Sequence, residues 1–234
     1  MIIDIITIFP EMFSPILGES IIKRAQDKGL VRINCHDLRD YSDDSHKKID
    51  APAYGGGGMV FCPAPLFTAV ETILGRSAQQ QSSPMKATRV ILFGPQGKKL
   101  DQAMIKKFLT FERLILLAPR YEGVDERVRT HLVDEEISIG DYVLSGAELA
   151  AMVFIDCLVR RIPGVVSDAS SVLQESFEDN LLDFPAYTRP EDFRGLKVPS
   201  VLLSGDHGAI QAWRKKQALE ITKAKRPDLL ERST

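Results

Sequence analysis

The chain has 234 residues, of which 44% are apolar and 26% charged, and a formal net charge of −2. That size and composition suit one globular domain with a sizeable core, or a larger domain with a small companion, and exclude a disordered or fibrous class. A near-neutral balance excludes a uniformly basic coat, so a nucleic-acid partner would have to be met by a local basic surface or by a second subunit.

Residues 1–8 are apolar but few, contain Asp4, and lack the basic flank of a signal peptide. No stretch approaches the ~20 apolar residues of a membrane span, so a soluble, cytoplasmic protein with no membrane association is the expectation. Residues 2–8 are β-branched and read as a buried strand. Residues 11–28 show helical spacing through Met12, Ile16, Ile21 and Ala25 and stop at Gly29. A second strand follows at 30–35. From 36 to 58 the chain turns polar, Asp-rich and then glycine-rich, too long for a routine connection and therefore functional or disordered. Residues 63–74 read as helix, and the Gln- and Ser-rich stretch 76–88 as a solvated spacer without chemistry.

Three strand candidates follow at regular spacing, 89–93, 113–117 and 136–139, separated by helical segments at 101–111 and 124–133. Strand and helix in alternation predict an α/β fold with a mostly parallel sheet covered on both faces. In such sheets ligands sit beyond the carboxyl ends of strands. Three marked loops fall there: Gly94-Pro95-Gln96-Gly97, Pro119-Arg120-Tyr121-Glu122-Gly123, and 138–146. The third is the most informative. It carries two glycines that let backbone approach a ligand, the carboxylate of Asp141 and the ring of Tyr142, a composition suited to holding a flat heterocycle by main-chain groups. Ser145 and Glu148 have the spacing of a capping box, which predicts a helix over 145–161. Neither G-x-G-x-x-G nor G-x-x-x-x-G-K-[ST] is present, so the ligand of these loops is expected to lack a pyrophosphate.

The 145–161 helix is apolar nearly all round, interrupted by Glu148 and Asp156, and must be buried on every side, either as a core helix or at a subunit interface. After Pro163-Gly164 the texture changes to Ser, Asp and Glu, an expected linker over 163–183 that should be mobile until substrate orders it. A small helical domain is expected over 184–234. Its last helix, 209–225, carries Arg214, Lys215, Lys216, Lys223 and Lys225 beside Trp213, either a solvated face or a nucleic-acid contact. Cys35, Cys62 and Cys157 lack C-x-x-C spacing and an even count, which fits core thiols in a reducing compartment. His36, His131 and His207 share no ligand spacing, and no metal site is expected.

At Ile8-Phe9-Pro10-Glu11-Met12-Phe13, the Tyr54 glycine run, Pro95-Gln96-Gly97, residues 120–128, 138–149 and 182–190, and Val201-Leu202-Leu203-Ser204-Gly205 ahead of Trp213-Arg214, the sequence resembles the bacterial tRNA (guanine-N1)-methyltransferases of the SPOUT superfamily. The match spans nearly the whole chain. The resemblance implies transfer of a methyl group from S-adenosyl-L-methionine to N1 of guanosine 37 of tRNA. It also implies a homodimer with active sites between subunits and a trefoil-knotted cofactor domain over 1–162.

By similarity, Leu92, Phe93, Gly94, Pro95, Pro119, Tyr121, Glu122, Ser138, Ile139, Gly140, Asp141, Tyr142, Val143, Leu144 and Gly146 form the cofactor pocket. Glu175 takes the place of the family's aspartate general base, and Arg160 matches the arginine that steadies guanine O6. His46, Asp50, Tyr54, Gly55, Gly56 and Gly58, together with Ser176 and Asp183, match substrate contacts. The chain departs from the family pattern in a glycine run one residue shorter, in Pro119 where glycine is usual, in Ala147 and Ala150, and in Ala186 where histidine is common. Magnesium dependence belongs to the family, and no site for it is read in this sequence.

Overall fold

The structure, a computed structural model, describes residues 1–75, 87–166 and 175–231. The chain divides into two compact units, Met1–Ser167 and Asp168–Thr234. In the first, the described residues form a five-stranded parallel sheet in the order β2-β1-β6-β5-β7, from Ile2–Thr7 (β1), Arg32–Asp37 (β2), Thr88–Lys99 (β5), Arg113–Leu117 (β6) and Glu135–Ser138 (β7). The predicted parallel α/β sheet is therefore present. A hairpin of Asp50–Pro52 (β3) and Met59–Phe61 (β4) stands apart from it.

Alternation along each strand splits the core in two. Ile3, Ile5, Ile91, Phe93, Leu114 and Leu116 face one side, against Ser20–Asp27 (α2), Gln102–Phe108 (α4) and Glu148–Val159 (α6). Ile6, Val90, Leu92, Ile115 and Leu117 face the other, against Pro63–Leu74 (α3) and Glu126–His131 (α5). This period of two, with apolar residues on both faces, is what a buried parallel strand requires.

The single helix expected over 11–28 is instead a 3-10 turn at Pro10–Met12, one turn at Ser14–Leu17 (α1) and then α2. Gln26 Nε2 donates to the Leu17 carbonyl at 2.8 Å, satisfying an oxygen that a continuous helix would have bonded internally. The capping box is also absent. α6 begins at Glu148 with Ala147 at its N-cap and no side-chain cap, because the Glu148 carboxylate turns inward to charged and hydroxyl donors. A charge-assisted bond in a buried setting outcompetes a bond to a backbone amide. β5 runs beyond the expected 89–93. Its pairing with β7 breaks after Phe93 and resumes at Lys98, so residues 94–97 are thrown out as a loop within the strand.

The second unit holds a two-residue ladder, Asp192–Phe193 (β8) with Leu196–Lys197 (β9), followed by Ser200–Leu203 (α7), His207–Lys225 (α8) and Asp228–Glu231 (α9). Asp206 caps α8, accepting from the Ala209 amide at 3.0 Å. The spacer expected over 76–88 falls almost wholly outside the described residues, as do residues 167–174 of the expected linker.

Candidate functional site

Where β5 leaves its ladder after Phe93, and beyond the carboxyl ends of β6 and β7, three loops enclose a cavity of about 320 Å³. The structure brings Leu92, Phe93, Gly94, Pro95, Pro119, Tyr121, Glu122, Ser138, Ile139, Gly140, Tyr142, Val143, Leu144 and Gly146 to its wall. Asp141 is not on it: its carboxylate pairs with Lys99 at 3.0 Å, both side chains well exposed. Gln96 and Arg120, which fall in two of the marked loops without having been assigned to the pocket, also line the cavity, as do Val124, Arg129, Glu136 and Ile137, which sequence reasoning did not single out. The available signal was a charged residue, Glu136, next to Ile137 in a strand that had to be buried.

The loops are fastened by backbone. The Ala147 amide donates to the Pro119 carbonyl at 2.9 Å, the Leu100 amide donates to the Ser138 carbonyl at 2.8 Å, and Arg120 and Gly146 form an isolated bridge. Within 138–146, Ser138 Oγ accepts from the Gly140 amide at 3.2 Å and donates to the Gly140 carbonyl at 3.0 Å, folding the turn on itself. Tyr142 lies over Gly140, where any side chain would collide with its ring, and Gly140 has a φ of 154°. Tyr121 takes a φ of 58°, so the turn after β6 bends sharply enough to leave its ring 56% exposed at the cavity.

Two Arg–Glu pairs back this wall. Arg129 Nε lies 3.1 Å from Glu136 Oε2, while Glu136 Oε1 is buried and sits 2.7 Å from where a Cβ on Gly94 would stand. Arg120 Nε donates to Glu148 Oε1 at 3.0 Å. Gln96, Glu122, Ser138, Tyr121 and Tyr142 add polar groups to a wall that is otherwise apolar side chains and main chain, which suits a flat heterocycle held by shape, backbone groups and a few polar contacts.

The β3–β4 hairpin and its glycine loop are stitched to the same turn. The Glu122 amide donates to the Met59 carbonyl at 3.1 Å, and the Phe61 amide to the Gly123 carbonyl at 2.9 Å. Gly55, Gly56, Gly57 and Gly58 have φ between 84° and 106°, a run only glycine sustains cheaply, and Gly58 packs on the Glu122 side chain. Tyr54, His46 and the glycines are solvent-exposed, and Asp50 is held in the ladder opposite Phe61. Beside them Asp125 accepts two side-chain bonds and an amide bond from Arg127, which hold its carboxyl down at about 2.

Arg160 stands at the C-terminal cap of α6, its amide bonded to the Asp156 carbonyl at 3.3 Å. The thirteen residue steps from Ala147 to Arg160 span about 20 Å of helix, so Arg160 lies at the far end from the cavity.

In the second unit, Glu175 lines a separate hollow of about 230 Å³ with Asp183, Phe184, Arg214 and Lys215. The segment that carries it is tied to α8. The Leu182 amide donates to Thr222 Oγ1 at 2.8 Å, the Asp183 amide donates to Ser176 Oγ at 2.9 Å, and the Arg214 guanidinium lies 4.6 Å from the centroid of the Phe184 ring. Gln174, which precedes the proposed base, lies outside the described residues. Among the described residues no group of three or more His, Cys, Asp or Glu is placed to hold a metal ion. No described helix is long and apolar enough to cross a membrane.

A family model described as tRNA (Guanine-1)-methyltransferase TrmD matches residues 1–232. The chain is 49% identical over 231 residues to the tRNA (guanine-N(1)-)-methyltransferase of Alkaliphilus oremlandii, covering 98% of this chain and 92% of that one. It is 50% identical over 234 residues to that of Caldanaerobacter subterraneus subsp. tengcongensis (100% and 93%), and 51% identical over 227 residues to that of Ruminiclostridium cellulolyticum (97% and 94%). A full-length match of this kind, on a chain whose three loops enclose one cavity, means that the protein belongs to the tRNA (guanine-1)-methyltransferase family.

Proposed function

We propose that this protein transfers the methyl group of S-adenosyl-L-methionine to N1 of guanosine 37 of tRNA, next to the anticodon. The observation that carries the reading is the cavity formed by the 94–97 loop of β5 and the loops after β6 and β7, in a chain that matches the family over residues 1–232. Its volume and mostly apolar, main-chain wall fit an adenosyl group. The cofactor, when bound, supplies a methyl group on a sulfonium that departs as a neutral thioether. Everything else is asked of the protein.

Guanine N1 carries a proton at neutral pH, so a base must remove it, and the Glu175 carboxylate is given that task. A positioned base contributes on the order of 100- to 10,000-fold. Arg160 donates to guanine O6 as negative charge builds there. Ser176, Asp183 and the loop from His46 to the glycine run hold the nucleotide, and α8 with Arg214 and Lys215 meets the tRNA backbone. The proposed division is a knotted cofactor domain over 1–162, a linker over 163–183 and a tRNA-binding helical domain over 184–234. The bonds between the 119–123 and 140–147 loops support the knot, since they draw together the connections that a knot would thread.

A homodimer belongs to the proposal. Leu149 and Val153 remain 50% and 43% exposed on the face of α6 that also exposes Asp156, while its other face is buried, and Phe9, Met12 and Ile16 are exposed in the same unit. Arg160, at the far end of α6 from its own cavity, then serves a cavity supplied by the second copy. Cytoplasmic location accompanies a tRNA substrate. Magnesium dependence carries no assigned residue. The decisive test is incubation with S-adenosylmethionine and a tRNA transcript bearing guanosine at position 37, followed by reverse transcription. A stop at position 37 supports the reading. A stop at another purine reassigns the substrate, and no incorporated methyl group refutes it.

A further inference from the structure

Glu148 is fully buried although it stands in the first turn of α6. Its Oε1 accepts from Arg120 Nε at 3.0 Å and from the Thr7 hydroxyl at 3.2 Å. One carboxylate thus joins the end of β1, the loop after β6 and the start of α6. Of the three side chains only Arg120 reaches the cavity wall. Its guanidinium is also fixed by Phe9, whose ring centroid lies 4.4 Å away, and by Met12, whose sulfur accepts from Nη2 at 3.3 Å. The Arg120 side chain then crosses Gly146: a Cβ there would stand 2.7 Å from Arg120 Cγ and 2.8 Å from its Nε, and would collide with Glu148 Oε2. The two cavity loops meet by backbone at the same place, Ala147 with Pro119.

A buried Arg–Glu pair is a poor source of stability, because removing both charges from water offsets their attraction and an apolar pair of similar volume commonly serves as well. Glu148 Oε2, buried with no hydrogen-bond partner among the described residues, adds a further cost. What the pair supplies is direction, since Nε of a planar guanidinium held by one carboxylate leaves the group a single orientation. We infer that Glu148 is a positioning residue for cofactor binding: acting through Arg120, it sets the separation of the 119–123 and 140–147 loops and so the affinity of the cavity for an adenosyl ligand. The inference rests on the proposed function for the identity of that ligand.

The test replaces the pair by an apolar one. Arg120→Met/Glu148→Met is expected to unfold at a temperature no lower than wild type, yet to bind S-adenosylhomocysteine about 10- to 100-fold more weakly in calorimetry. KM for S-adenosylmethionine should rise with kcat changing far less. Wild-type affinity in the folded double variant overturns the inference. If that variant does not fold, Glu148→Gln decides at a temperature where its circular dichroism matches wild type: weakened affinity supports the role and unchanged affinity overturns it. A wild-type protein that gives no heat with S-adenosylhomocysteine refutes the ligand assignment itself, and the inference with it.

Discussion

Gly97 lies against the Ile137 peptide with no room for a side chain between them. A Cβ on Gly97 would stand inside contact distance of the Ile137 amide nitrogen and of the Glu136 carbonyl carbon, which is 2.6 Å away. These are backbone atoms of β7 and cannot swing aside. The contact is what lets β5 leave its ladder after Phe93, form the 94–97 wall of the cavity, and rejoin β7 at Lys98. Gly97→Ala should therefore cost about 1–3 kcal/mol of stability through overpacking and should weaken S-adenosylhomocysteine binding. Urea denaturation and calorimetry on the same sample check both, and an alanine variant with wild-type values would mean that the return of β5 has slack.

Asp4, 1% exposed on β1, gathers Arg113 Nε at 2.8 Å, Asn34 Nδ2 at 2.8 Å and His36 Nε2 at 2.9 Å. Burial pushes its carboxyl up, but the bonds from His36 and Asn34 and the charge of Arg113 together outweigh it and leave the group below its ordinary 3.8. A carboxyl depressed by folding stabilises the protein fully above its unfolded value and loses that contribution as pH falls through the folded one. Asp4→Asn should thus lower stability at neutral pH by about 3 kcal/mol, mostly by taking from Arg113 its carboxylate and leaving it only the Ile73 carbonyl. The difference between wild type and variant should shrink below about pH 4, as measured by denaturant midpoints across the acid range. A gap that persists unchanged to low pH would assign the effect to packing instead.

Glu175→Gln keeps the size and hydrogen-bonding ability of the side chain and removes its basicity. Turnover should fall by about 100- to 10,000-fold while tRNA and cofactor affinities hold. Single-turnover rates with saturating tRNA measure this directly, and an undiminished rate removes Glu175 from the mechanism.

Arg160→Lys retains charge but cannot present a planar fork to guanine O6. A kcat loss of about 100-fold with little change in the KM for cofactor is expected if Arg160 stabilises charge that develops only in the transition state. A rise confined to the cofactor KM would instead place it in ground-state binding.

Leu149→Asp together with Val153→Asp puts two carboxylates on the exposed stripe of α6 without touching its buried face. Sedimentation should shift from dimer mass toward monomer mass, with methyl transfer lost in parallel. A wild-type protein that sediments as a monomer and is active would exclude the shared active site.

Much of the parallel core was legible because its physics is local. Ile3 and Ile5 alternate with Asp4 and Ile6 in a run that could only be a buried strand, and 113–117 and 63–74 read in sequence just as they stand in Arg113–Leu117 and Pro63–Leu74. The loops that enclose the cavity announced themselves by glycine and proline at the ends of strands, a consequence of backbone geometry that a single segment carries. The role of Glu148 did not. Its spacing from Ser145 favoured a helix cap, and only the arrival of Thr7, 141 positions away, and of Arg120, 28 positions away, gave its carboxylate better partners. Likewise, nothing within 94–97 states that Gly97 must slide against Ile137. Sequence alone determined the strands of the parallel sheet, most of the helices that cover it and which loops could approach a ligand, because those follow from dihedral preference and periodic burial. Tertiary structure decided which charges meet behind the cavity and how far apart its walls stand, because such pairings depend on desolvation and on contacts that exist only once distant segments are packed together.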